Sequence, residues 1–447
     1  MINPQSPDLF FQPHMKQPPP IDLLLLLVLI PAQIALFSFG DYFLVILLLL
    51  YVALTVWRPL SDLAALPERF GADRLVFLLR LLILFLMLLV APIAVSARNV
   101  QLRLQADAGQ GDVTDAYLRL HDGALQLELA LEHLQNGVNP YAARYDHPLM
   151  SIWDPAIGVN PATEHLIYLP GLLLVSLPFQ WVGTAVLGFY DQRLFYLLAF
   201  VLVILLLPTI TTRPTYKLAL VVGVGLNPWL AQPVAWGMND IIVVLCLLVM
   251  GLLLWKKHQL WAAVPLALAC TMKQSAWLFV PFFLLAVYLA AQPERKWREA
   301  ATAVAIIALI MAVVVGPFAL WNLPAFMDDT FAYASGTAVS LNYPIRGYTV
   351  GRLLVLFGQV ASDLDYYPFW LWQVVVGLPV LALCLYYQWR QRTLAAMFLA
   401  ASVFIFSLGF VSRYFQDNYV GFVITLAFLG LFPTFVEEEI DTRTTRI

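Results

Sequence analysis

Ionisable side chains are sparse in this chain, and several stand at the ends of apolar runs. Asp122 opens the segment DGALQLELALEHLQNGVNPY, which ends at Tyr141. Glu164 and His165 stand just ahead of Tyr168, and Asp240 closes the run Gly237-Met238-Asn239-Asp240. Lys273 interrupts ALACTMKQSAW, and Arg346, Arg413 and Asp417 occupy later polar breaks. A charge within membrane reach is costly and is by default a functional candidate. A carboxylate can take a proton as general base, and Lys or Arg can counter a phosphate. Plainer roles compete at each position. Asp122 and Asp240 can be helix N-caps, Lys273 can snorkel to the interface, and His165 can be a hydrogen-bonded structural histidine. Arg346 and Arg413 are equally open. Tyr141 and Tyr168 can belong to an interfacial aromatic belt or stack on a sugar. No His or carboxylate pair has metal-ligand spacing on one helix, and no Gly-rich phosphate loop is present. Neither a metal nor a cofactor is expected.

The elements that position these residues are membrane helices. Of 447 residues, 61% are hydrophobic and 12% charged, against about 25% charged in a soluble domain. Apolar runs of bilayer-crossing length recur, and in lipid they must be helical. The expected fold class is therefore all-α and polytopic, with about twelve transmembrane helices plus re-entrant or juxtamembrane ones. The net charge of −3 and the absence of a dense basic patch argue against nucleic acid. Cys246, Cys270 and Cys384 all fall within apolar spans, as small buried hydrophobes rather than a disulfide framework.

Full spans are expected at Ile21–Phe39, Tyr42–Trp57, Leu75–Ala97, Leu194–Thr211, Leu218–Trp236 and Ile241–Trp255. Six more follow at Leu260–Thr271, Ala276–Ala291, Ala300–Trp321, Tyr366–Gln388, Leu394–Val411 and Val420–Val436. His165–Gly188 and Val350–Val360 are expected to be partial insertions. That arrangement puts the basic loops 58–74, 213–217, 256–257, 295–298 and 390–392 together in the cytoplasm, as the positive-inside rule requires. Residues 1–20 and 437–447 become cytoplasmic tails, and 21–436 a single transmembrane domain. The long polar segment 98–164 becomes extracytoplasmic. Asp122, His165, Tyr168, Asp240, Lys273, Arg346 and Arg413 then share that face of a multi-pass cell-membrane protein.

Within 98–164, Ala124, Leu127, Leu131 and Leu134 form one apolar stripe, and Glu128, Glu132 and Gln135 fall elsewhere. The spacing predicts an amphipathic helix lying on a membrane or on the top of a bundle. Asn136-Gly137 ends it. The capping-box partner of Asp122 is missing, because Leu125 holds that position.

An Asp after an apolar span, an amphipathic helix, G-x-N-P-Y, then G-M-N-D and K-Q-S-A together resemble the GT-C superfamily of membrane glycosyltransferases. The likeness is particularly to the bacterial polyprenol-phosphate-mannose-dependent enzymes, similar to glycosyltransferase family 87. The resemblance covers roughly Leu75–Trp321, and the DGALQ stretch is its most specific part. It implies a GT-C-like fold and inverting transfer of mannose or a similar sugar from a polyprenyl-phosphate donor in the bilayer. The acceptor would be a glycan, lipid or protein outside the cytoplasm. Asp122 matches the catalytic base, with Asp115 the competing base seven residues earlier. Lys273, Arg346 and Arg413 would counter the phosphate, and Asp240, His165 and Tyr168 would bind or orient substrate. The main rival is a membrane transporter or lipid flippase. Polar residues gathered at one surface, without visible repeat halves, disfavour it. A non-catalytic partner in envelope assembly is the third reading.

Overall fold

The computed structural model describes residues 20–37, 41–57, 72–153 and 160–432. It is 78% helical with almost no sheet, an all-α membrane protein as its composition dictates. The tail at 1–19, most of the basic loop through Arg58 and Arg69, and the C-terminal tail lie outside the described residues. So does Gly40, between the first two expected spans.

The helices run α1 (Ile21–Phe37), α2 (Asp41–Trp57), α3 (Ala72–Leu88), α4 (Ala94–Asp107), α5 (Val113–Leu118) and α6 (Asp122–Gln135). Next come α7 (Pro170–Leu187), α8 (Gln192–Leu206), α9 (Pro214–Gly225), α10 (Pro228–Trp236), α11 (Asp240–Trp255) and α12 (Gln259–Met272). A 3-10 stretch at Gln274–Phe279 enters α13 (Val280–Ala290). The rest are α14 (Lys296–Trp321), α15 (Leu323–Met327), α16 (Tyr333–Ser335), α17 (Val350–Leu356), α18 (Phe369–Gln391), α19 (Leu394–Phe410) and α20 (Asp417–Leu431).

Among the described residues, five helices are long and apolar enough to cross a bilayer, or six if the bent α9–α10 pair is one span. Seven further apolar helices have 10–17 residues. Length alone therefore does not reach the expected twelve. Local breaks explain part of the shortfall. The expected span Leu218–Trp236 is split at Asn227-Pro228 with a 48° bend, because proline cannot continue the amide ladder and Asn227 caps α10. Conversely, α3 continues through a π turn at Leu89–Ile93, which contains Pro92, into α4. The 34 residues from Arg74 to Asp107 measure about 51 Å, so α4 projects beyond an apolar layer of about 30 Å.

α7 has the length of a span, and the chain after it doubles back along it. Pro170-Gly171 starts it against the end of α12, where Gly171 allows contact with the Thr271 backbone. After α7 the chain folds back, and Gln192 Nε2 donates to Ser176 Oγ at 3.0 Å. Ser176 lies six residues, about 9 Å, along α7 from Pro170. The chain from Pro170 to Gln192 thus starts and finishes near the same face.

That face gathers many helix ends. His121 N–H donates to Trp236 O at 2.6 Å, joining α6 to the end of α10. Lys273 reaches Asp240, joining α12 to α11. Arg346-Gly347 pairs in parallel with Tyr414-Phe415, joining the loop before α17 to the turn before α20. From this face α11 runs away for 16 residues, about 24 Å, to Lys256-Lys257. Below it, buried Phe200, Leu220, Val221, Phe282, Phe398 and Leu426 belong to one core cluster. The apolar windows of α14 and α18 are each only 17% buried, as suits helices flanked by lipid. At the edge of the bundle, α1, α2 and α3 are tied by a buried Arg80–Asp22 ion pair that also accepts the Tyr51 hydroxyl.

A candidate active-site cavity on the helix-end face

The start of α6 is built by short polar contacts. His121, not Asp122, is the N-cap, and its Nδ1 accepts the Gly123 N–H at 3.0 Å. Asp122 is the first helical residue, and its Oδ1 accepts the same N–H at 2.7 Å. Its Oδ2 accepts from Asn160 Nδ2 at 2.9 Å. Asn160 also donates to Met150 O at 3.1 Å, which fixes the amide. Gly123 is required here because a Cβ would strike the Tyr168 ring and hydroxyl. Asp122, Asn160 and Tyr168 are thereby drawn together from three polar stretches.

The expected polar side of α6 divides: Glu128 points into the protein, and Glu132 and Gln135 are exposed. Glu128 is buried and takes Arg103 Nη1 at 3.0 Å and Nη2 at 2.7 Å. It also takes the Gln192 N–H at 2.7 Å. Arg103 bridges to Asp191 at 3.1 Å, and Asp191 holds Arg193 Nη2 at 2.7 Å. Arg193 in turn donates to Arg119 O at 3.0 Å and Asn99 O at 3.2 Å. α6 therefore packs into the bundle top on its Glu128 side, where Arg103 of α4 covers the carboxylate, and it keeps Glu132 and Gln135 on its outer side. Burial raises the Glu128 carboxyl despite Arg103, whereas Arg193 and Arg103 hold Asp191 low against its own burial. Glu128→Gln leaves Arg103 its Asp191 partner at 3.1 Å and removes the two-pronged contact with α6. We expect Glu128→Gln to cost about 1–3 kcal/mol of stability, read by thermal unfolding in detergent. An unchanged midpoint would refute the coupling of α6 to α4 and α8.

Asp122 faces a cavity of about 230 Å³. Gln126, Asn160, His165 and Tyr168 line it beside Asp122, and Trp153 and Trp236 add aromatic walls. Across it stand Tyr343, Arg346, Tyr414, Gln416 and Asp417. A recess of about 40 Å³, lined by Asn239, Lys273, Asn418 and Tyr419, shares the His121, Tyr168 and Tyr343 walls. Lys273 is buried rather than snorkelled. It donates to Asp240 Oδ1 at 2.6 Å and Asn239 Oδ1 at 2.9 Å, and lies 4.7 Å from the Tyr419 ring centroid. Asp240 is spent behind it, also accepting Asn418 Nδ2 at 2.6 Å. Burial holds the phenols of Tyr168, Tyr343 and Tyr414 well above their ordinary range, helped by neighbouring tyrosines and, at Tyr168 and Tyr414, by Asp122. They are hydroxyl donors at neutral pH.

The remaining candidates separate. Arg346 lines the cavity with Asp363 at 3.6 Å behind it. Arg413 does not line it. Its guanidinium donates to the carbonyls of Tyr343, Asp365 (2.7 Å) and Asp363 (3.1 Å), clamping two loops. Asp115 is exposed and paired with Arg119 at 2.9 Å, away from the cavity. Asp417 joins Arg346 on the cavity, while Asn160, Gln416, Trp153 and Trp236 carry no charge that marks them along the chain. The N-P that follows Asn160 was a usable turn signal.

His165 Nδ1 lies 2.9 Å from Asp329 Oδ1 and 3.7 Å from Asp328 Oδ2. These three residues offer ligand atoms within 4.8 Å of one another, so they could hold a cation. Each carboxylate already accepts a backbone N–H, from Val339 on Asp328 and Leu166 on Asp329. Burial pushes the Asp329 carboxyl up to about 6, against the pull of His165 and the Leu166 N–H. Chemically, the cavity offers a carboxylate able to take a hydroxyl proton, neutral donors for a polyhydroxyl ring, and cations for an anion.

The sequence model of glycosyltransferase family 87 matches residues 166–411, more than half of the chain. The match includes Tyr168, Asp240, Lys273 and Arg346 and begins after Asp122 and His165, so the DGALQ stretch lies outside it. No curated protein and no solved structure matches the chain significantly.

Proposed function

The chain belongs to glycosyltransferase family 87, and we propose that it moves mannose or a similar sugar from a polyprenyl-phosphate donor to an extracytoplasmic glycan, lipid or protein acceptor. The observation that carries this reading is the Asp122 carboxylate on the wall of a polar cavity whose adjoining recess holds Lys273. In the proposed step, an acceptor hydroxyl oxygen attacks the anomeric carbon from the side opposite the phosphate. The C–O bond to phosphate breaks, the configuration inverts, and Asp122 takes the hydroxyl proton. Polyprenyl phosphate leaves with its negative charge countered by Lys273 and Arg346. Tyr168 and Asp240 orient substrate and Lys273, respectively.

Charge supports the orientation. The helix ends away from the cavity carry Arg213, Lys217, Lys256, Lys257, Arg295, Lys296, Arg298, Arg390 and Arg392. Basic loops favour the cytoplasm, which leaves the cavity on the opposite side. A membrane-delivered donor also suits a chain with no Gly-rich nucleotide loop. The test is transfer by the purified protein in liposomes from radiolabelled polyprenyl-phosphate mannose, compared with GDP-mannose alone. Transfer from the lipid donor only is expected. Equal transfer from the nucleotide sugar would defeat the donor assignment.

A further inference from the structure

We infer that His165, aimed by Asp329, is a hydroxyl-recognition subsite of the cavity, and that Ser340 occupies it until a substrate sugar hydroxyl takes its place. This rests on the sugar-transfer reading and adds the polarity of binding to it.

The ring of His165 cannot turn freely. It is 3% exposed, stacked on Tyr333 with centroids 4.5 Å apart, and tied through Nδ1 to Asp329. Asp329 is itself anchored by the Leu166 N–H at 2.9 Å. With Nδ1 engaged, Nε2 is the nitrogen left for a partner, and Ser340 Oγ lies 2.7 Å from it. Ser340 is an exposed residue of the loop that also carries the cavity residues Tyr343 and Arg346. Its hold is contested, because the same hydroxyl is within reach of the Glu164 carboxylate, which Arg144 also holds at 3.1 Å. One hydroxyl proton cannot serve both groups fully.

The chemistry of the incoming group follows. A hydroxyl satisfies Nε2 in either proton state, donating to a neutral ring or accepting from a charged one. Exchanging the Ser340 hydroxyl for a sugar hydroxyl is close to an even trade of hydrogen bonds. A phosphate is excluded, because Glu164, Asp328 and Asp329 surround this corner. The donor phosphate must then lie toward Lys273 and Arg346, with a neutral hydroxyl of the bound sugar or acceptor at His165.

Diethyl pyrocarbonate adds to neutral imidazole nitrogen and reads access to Nε2 without turnover. The full-length protein in detergent is treated at neutral pH, and carbethoxylation of His165 is followed by peptide mass spectrometry. Ser340→Ala is expected to speed modification by about 2- to 10-fold, the worth of one hydrogen bond. At least one of the methyl glycosides of mannose, glucose and galactose is expected to slow it again, and inorganic phosphate to leave it unchanged. Equal rates in the parent and Ser340→Ala, protection by phosphate, or protection by none of the glycosides would overturn the inference. Because no donor is used, the two readings fail separately. Lipid-donor transfer without glycoside protection removes the subsite alone, and glycoside protection without lipid-donor transfer removes the donor assignment alone.

Discussion

Asp122→Asn is expected to lower sugar transfer by about 10²- to 10⁴-fold, the usual weight of a positioned general base, and to leave the fold intact. The substitution keeps shape and removes the proton acceptor. Asp122 Oδ2 takes an Asn160 N–H and Oδ1 takes the Gly123 N–H, and an amide oxygen can keep one of these. His121, not Asp122, caps α6, so the helix start does not depend on the charge. A large rate loss with an unchanged unfolding midpoint would therefore report chemistry. Asp417 is the second carboxylate on the cavity, and Asp115 is exposed and paired with Arg119. Near-normal transfer by Asp122→Asn, with the loss appearing in Asp417→Asn, would reassign the base. Asp115→Asn should be silent.

The second large effect concerns Lys273 and Asp240. Their contact of 2.6 Å is buried at both ends, so either single change leaves a buried charge without its counter-ion. Asp240→Asn or Lys273→Met should each cost about 3–5 kcal/mol. The double variant should recover much of that stability, since replacing both charges removes the stranded partner. It should not recover transfer, because the recess would have lost its ammonium. Thermal unfolding and transfer measured on the same preparations separate the two roles. A stable double variant with normal transfer would reduce Lys273 to a structural residue and leave Arg346 as the cation for the phosphate.

Much of this architecture is written in local composition. Membrane helices follow from runs of Leu, Val, Ile and Phe because hydropathy sums over neighbours along the chain. The breaks in those runs also drew attention to Asp122, His165, Asp240, Lys273 and Arg346, since an ionisable group among apolar residues is conspicuous without any knowledge of its partner. Residues whose role depends on a distant partner are less legible. Arg413 looks like a free cation in SRYFQDNY and is a clamp on three carbonyls. Glu128 belongs to the polar side of an amphipathic pattern and lies buried against Arg103. His165–Gly188 has the length of a span, and contacts such as Gln192–Ser176 reveal that the chain turns back after it.

The sequence by itself thus determined the solvent, the helices and which residues were too costly to be idle. Tertiary structure decided which of them meet. Asp122 finds Asn160 38 residues away, Lys273 finds Asp240 across 33, and His165 finds Asp329 across 164. Burial of a charge becomes tolerable only when a counter-group arrives at hydrogen-bond distance. That distance is a property of how helices pack, and no local pattern along the chain encodes it.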